Sequence, residues 1–251
     1  MKGFINLFNF DPRHAMSVDL EKECFLSRNG EHIEPIAYQV LMQIILRNVN
    51  SKLPACQMRY KTGMVKIQQL SEQAELMEMA LTVGERNIGF RRIFQEVGPD
   101  NVPCDVFPDP AGTYQSDAAK MSPDELKTSC QITSTSVHVG MPDAATALRV
   151  YNWAIRATER LCSAGDGSDG RRLKLYRLIY SSCDPKPYSD WSEFYEDARQ
   201  NGFADDPRIN RRLIRITPQG AITFSTFGIA ADPEQELLWA QTCQSICQEA
   251  A

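Results

Sequence analysis

Residues Gln131 to Gly140 read QITSTSVHVG, an alternating, β-branched run that ends on a glycine and is followed at once by Pro142-Asp143. Alternation with β-branched side chains predicts a strand, and Pro-Asp opens a helix. A chain carrying this unit must build a sheet and lay a helix against it. That helix is predicted to run to Ala164, with Ala147, Val150, Tyr151, Ala154 and Leu161 facing inward.

The other segments fit around this unit. Met1 to Phe10 is apolar but short, and it reads as a first strand. Ser17 to Ser27 is a strand ending in the Asn29-Gly30 turn, with a short extended piece to Ile33. Pro35 opens a helix to about Asn48, with Ile36, Val40, Leu41, Ile44 and Ile45 at helical spacing. Gln57 to Gln68 gives two short strands around Thr62-Gly63. Ser71 to Phe94 is a long helix capped by Ser71, whose apolar stripe is Leu76, Met79, Ala80 and Val83. The Pro-rich stretch after it is a loop with one strand, Val102 to Phe107. Gly165 to Gly170 is a mobile loop, and Trp191 to Arg199 a short helix ended by Gly202. Arg212–Thr217 and Ala221–Phe227 pair around Pro218-Gln219-Gly220, and Glu234 to Glu249 closes the chain as a helix. Strands and helices alternate without a βαβ rhythm. The fold class is therefore α+β with a mainly antiparallel sheet, in a single domain over residues 1–251.

Composition removes several functions. The net charge is -5, a poor match to non-specific nucleic-acid binding, which needs a basic surface. No apolar run reaches membrane-spanning length. The eight cysteines contain no CxxC pair, which argues against a zinc site and a dense disulfide framework. Cys243 and Cys247, one helical turn apart, are a redox pair or two half-buried apolar positions. Reduced cysteines without an export signal predict the cytoplasm.

Three segments carry candidate chemistry. Glu21 and Glu23 flank Lys22 on one strand, so their carboxylates share a face. They repel unless solvated or bound to a cation, and oxygen ligands on a rigid strand suit Mg²⁺ holding phosphates. His138 lies in an apolar strand before a turn into a helix, as a ligand or as a hydrogen-bonded core group. Arg171, Arg172, Lys174 and Arg177, with Arg208, Arg211, Arg212 and Arg215, are phosphate forks or a solvated surface.

The order of these pieces resembles the bacterial glutamate–cysteine ligase type 2 (carboxylate–amine ligase) family, a relative of the glutamine synthetase fold. VDLEKECFL from Val18 is similar to its opening VGVExExxL strand, and VHVGMPD from Val137 to its HVHVGxPD motif. Arg177 falls in a stretch like its G-rich loop and SxR segment, Trp191 to Gly202 resembles its aromatic helix, and Arg215 is similar to the arginine of WDxRP. The resemblance implies a curved, mainly antiparallel sheet with helices on its outer face and substrates on the concave side. It implies an ATP-dependent ligase acting through an acyl phosphate on small-molecule carboxylate and amine substrates. Glu21, Glu23 and His138 match the Mg²⁺ ligands, and Arg177 and Arg215 match positions facing phosphate or substrate charge.

The departures are as specific. Lys66 stands at the place of the QVEI glutamate, Thr223 and Ser225 at those of the TLEVR glutamate and arginine, and Ser136 replaces the first histidine of HVHVG. An ammonium at Lys66 is predicted to fill a metal ion's place and pair with Glu21 or Glu23. Two readings follow: a ligase with a depleted metal site, or a non-catalytic relative that binds a small ligand or protein partner. Exposed sheet edges would let a homodimer form.

Overall fold

β1 (Val18–Ser27) is the strand around which the sheet assembles. The computed structural model describes residues 2–44 and 46–251. Three strands flank β1, all antiparallel to it. β3 (Gln57–Lys61) sets Lys61 opposite Glu21 and Arg59 opposite Glu23. β5 (Thr135–Gly140) sets Ser136 opposite Glu21 and His138 opposite Asp19. β4 (Arg91–Ile93) pairs with the last three residues of β1. β2 (Val49–Ser51) extends the sheet beyond β3, and the hairpin β6 (Ile214–Thr217) and β7 (Ala221–Phe227) extends it beyond β5. The order is β2-β3-β1-β5-β7-β6, an open antiparallel sheet in an α+β chain.

One face of this sheet is apolar. Val18, Leu20, Val137, Val139, Ile214, Ile216, Ile222 and Phe224 form its buried surface. α6 (Ala144–Ala154) and α10 (Pro233–Gln248) lie on it through Ala147, Val150, Tyr151, Trp239, Cys243 and Cys247. Both helices begin at an aspartate whose carboxylate caps free backbone N–H groups, Asp143 onto Thr146 and Asp232 onto Gln235. Cys243 and Cys247 are fully buried free thiols in this layer, pushed to high pKa by burial, so they act as apolar core.

α3 (Leu70–Ile88) covers the β1–β3 end of the same face, and charge holds it there. Lys22 of β1 contacts Glu78 at 2.9 Å and Glu236 of α10 at 2.6 Å. Arg92 of β4 contacts Glu78 at 2.8 Å and Glu85 at 2.9 Å. Leu70 and Leu81 are buried beneath the helix. The predicted stripe is elsewhere: Leu76, Met79 and Val83 are 51%, 66% and 54% exposed. α3 has two apolar faces, and the ion network selects the one carrying Leu81.

Several boundaries differ from those predicted. The strand predicted over Met1 to Phe10 does not form in residues 2–10, where α1 (Lys2–Ile5) stands instead, with Phe4 and Phe8 packed against Trp191 and Phe194; Met1 lies outside the described residues. The helix after Pro35 is only α2 (Ala37–Leu41), and Ile45 lies outside the described residues. After β3 no second strand forms, and Val65 makes an isolated bridge to Val18. Val102–Phe107 contributes one bridge, Val106 to Pro54. α4 (Thr113–Ala118) and α5 (Pro123–Gln131), the latter with a Ser122–Glu125 capping box, occupy the region read as loop. The helix predicted to Ala164 breaks into α6 and α7 (Thr158–Ala164) around a 3-10 turn. The basic run after Gly170 is α8 (Arg171–Ile179), and α9 (Trp191–Gln200) follows as predicted.

Candidate functional site

The opposite face of the sheet is polar across five neighbouring strands. Residues paired across antiparallel strands point to the same face. β1 therefore presents Asp19, Glu21 and Glu23, β3 presents Arg59 and Lys61, and β5 presents Ser136 and His138. Thr223 of β7 pairs with His138, and Arg215 of β6 pairs with Thr223. Ser225, two residues beyond Thr223 on the same strand, continues that register and joins them: its hydroxyl is 2.8 Å from that of Ser136.

Glu21 is the centre of this surface. It is 7% exposed, with the Lys61 ammonium at 2.7 Å and the Arg59 guanidinium at 3.6 Å. Burial disfavours its charge, but Arg59 and Lys61 outweigh burial and hold the carboxyl well below the usual range. Glu23 is engaged separately, by Lys52 at 2.8 Å and by the Ser134 hydroxyl at 3.0 Å. Asp19 accepts from the Gly63 N–H at 2.9 Å and the Thr62 hydroxyl at 3.1 Å, and burial raises it to about 6.

His138 is held by a directional chain. The Thr217 hydroxyl donates to the Ala221 carbonyl at 3.2 Å, and the Thr223 hydroxyl donates to Thr217 at 3.4 Å. Thr223 must then accept from His138 Nδ1, 2.7 Å away. The network thus assigns the proton to Nδ1 and leaves Nε2 as a bare lone pair. Nε2 is buried and has no hydrogen-bond partner. Burial, reinforced by Lys61, lowers the imidazole to about 3, so it is neutral at pH 7.

Arg215 donates to the Ser225 hydroxyl at 2.9 Å and to the Arg212 carbonyl at 2.8 Å. The Arg211 carbonyl accepts from the Tyr176 hydroxyl of α8 at 2.8 Å. The face therefore sets three carboxylates, Asp19, Glu21 and Glu23, against four cations, Lys52, Arg59, Lys61 and Arg215.

Glu21, Glu23, His138 and Arg215 thus converge on one surface. Two expected members do not. Lys66 is exposed and precedes a short 3-10 turn beyond the sheet, so it pairs with neither Glu21 nor Glu23. Lys61, five residues earlier at the end of β3, makes the contact expected of it. Arg177 is on α8, half-exposed and paired with Asp184 at 2.9 Å. Of the remaining basic residues, Arg172 is buried and donates to the Thr226 carbonyl at 2.8 Å, and Arg212 is buried 2.7 Å from Asp197. Both are internal struts. The sequence reading missed Asp19, Arg59 and Lys61, although each sits two residues from a partner on an alternating strand.

The donor set does not fit Mg²⁺. Among the described residues no group of three or more His, Cys, Asp or Glu side chains is placed to hold a metal ion. Glu21 would have to give up Lys61 and Arg59, and an imidazole nitrogen is a poor partner for a cation that selects oxygen. No helix among the described residues is long and apolar enough to cross a membrane. Neither a protein-family model nor a curated protein sequence matches this chain.

Proposed function

We propose that this chain has the glutamine synthetase-like fold of the carboxylate–amine ligases, with its polar sheet face converted from holding metal ions to binding a small anion, without phosphoryl transfer. The observation that carries this reading is the Lys61 ammonium 2.7 Å from Glu21, with Arg59 behind it. A carboxylate already neutralised by two fixed cations has no charge left for a divalent ion. The surplus cations around it favour an anion instead.

Titration calorimetry tests this with phosphate, hydroxy acids and amino acids, each with and without Mg²⁺, and with ATP. Binding of a small acid that is independent of Mg²⁺, weakens with salt and is lost in Lys61→Met supports the reading. Metal-dependent ATP binding refutes it.

One observation favours the ligase reading: Glu21, Glu23 and His138 share a face, as the resemblance requires. ADP release with pooled amino acids and amines, abolished by Glu23→Gln, would establish it.

A further inference from the structure

The outward stripe of α3 has its own logic. Leu76, Met79 and Val83 are spaced three and four residues apart, so they form one continuous ridge. Their exposures of 51%, 66% and 54% leave that ridge uncovered, and Met42 beside α2 is 70% exposed as well. Ala80 and Gly84 flank the ridge with almost no side chain. A Cβ added at Gly84 would meet nothing closer than Ile44 at 4.0 Å, so the neighbouring groove is open. The orientation is fixed, because Glu78 and Glu85 on the opposite side of the helix are tied to Lys22 and Arg92.

The two ends of the ridge carry opposite charge. Glu72 lies in the first turn of α3 and Arg86 in the last, both exposed, and neither makes an ion pair among the described residues. A ridge that is acidic at one end and basic at the other is complementary to itself turned round.

We propose that a second copy of this chain covers the ridge, with the two α3 helices antiparallel about a two-fold axis passing between Met79 and Ala80. In that arrangement Leu76 meets the partner's Val83, and Met79 meets the partner's Ala80. Glu72 lies beside the partner's Arg86, at both ends of the contact. This is the self-complementary patch that a two-fold dimer requires. A parallel pair would place Glu72 against Glu72 and Arg86 against Arg86, which repel. The small residues at positions 80 and 84 let the helices approach closely.

Sedimentation velocity of the full chain over a range of concentrations tests this. Wild type should show a concentration-dependent dimer. Met79→Glu should be monomeric with unchanged circular dichroism, because the side chain it alters is exposed. Glu72→Lys and Arg86→Glu should each weaken dimerisation about tenfold, and the combined Glu72→Lys/Arg86→Glu protein should recover it. A wild type that stays monomeric overturns the proposal. So does a dimer indifferent to Met79→Glu, or one that the charge swap fails to restore. A ridge that captures only a different protein would appear as the first of these outcomes.

Discussion

Lys61 determines what the polar face can hold. Its partner Glu21 is buried, so removing the ammonium leaves a carboxylate supported by Arg59 alone. Lys61→Met should destabilise the protein by about 2–3 kcal/mol in urea unfolding, less than the loss of an isolated buried partner because Arg59 remains. Glu21→Gln/Lys61→Met should recover most of that loss. His138 gives a prediction in pH. Its folded pKa, about 3, lies below the unfolded value of 6.5, so its contribution is complete above pH 6.5 and is lost as pH falls towards 3. At pH 5 the loss is about 2 kcal/mol. Asp19, raised to about 6, acts in the opposite direction over part of that range. The measurement is therefore the difference in unfolding free energy between wild type and His138→Gln from pH 7 to 5, which should shrink as pH falls. A constant difference would mean that the imidazole is not held neutral. At this scale the sequence disclosed the acids and the histidine but not their partner. Lys66 was favoured by motif position, while β3 ends at Lys61 and the chain turns away at Thr62-Gly63. Only strand register distinguishes two lysines five residues apart.

Among the elements, the β6–β7 hairpin was legible because Pro218-Gln219-Gly220 is turn chemistry between two alternating runs. Gly220 adopts φ +73, and a Cβ there would clash with the Asn9 carbonyl. Gly220→Ala should therefore cost more than about 3 kcal/mol, since backbone strain and a backbone clash add. Thermal unfolding would reveal a milder effect if the segment around Asn9 could shift. β1, β5, α9 and α10 were legible for the same reason: a clear period and a capping or turn residue at the boundary. α5 and α8 were not. α5 has few apolar residues, and α8 is so rich in arginine and lysine that its basic side chains read as a binding patch. β4 was absorbed into the preceding helix, although Gly89, at φ +78, ends α3 two residues before it. The α3 stripe was found, but its direction was not. Hydrophobic spacing identifies a face, and the ionic partners of Glu78 and Glu85, distant in sequence, decide where that face points.

For the whole molecule, those same ionic partners join three layers. Lys22 stands on the apolar side of β1, between Glu78 of α3 and Glu236 of α10. Burial raises the Glu236 carboxyl, and only Lys22 offsets it appreciably. Lys22 is half-buried; burial disfavours its charge, but its two carboxylates outweigh that and raise it above its ordinary value, so it is charged at pH 7. In Lys22→Met the stem volume is kept and the charge is lost. Glu236 then takes up a proton, Glu78 keeps Arg92, and α3 loses its link to α10. The expected result is a loss of about 3 kcal/mol in overall stability. Amide exchange in α3 should quicken more than in β1 or β5, because the helix can then open without the sheet. Uniform acceleration would mean that α3 is held by Leu70 and Leu81 rather than by charge. The same substitution connects to the outward ridge. Arg92 still ties Glu78 and Glu85, so α3 keeps its facing, but a helix that opens more often presents Leu76, Met79 and Val83 less of the time, and a dimer built on those residues should weaken with it.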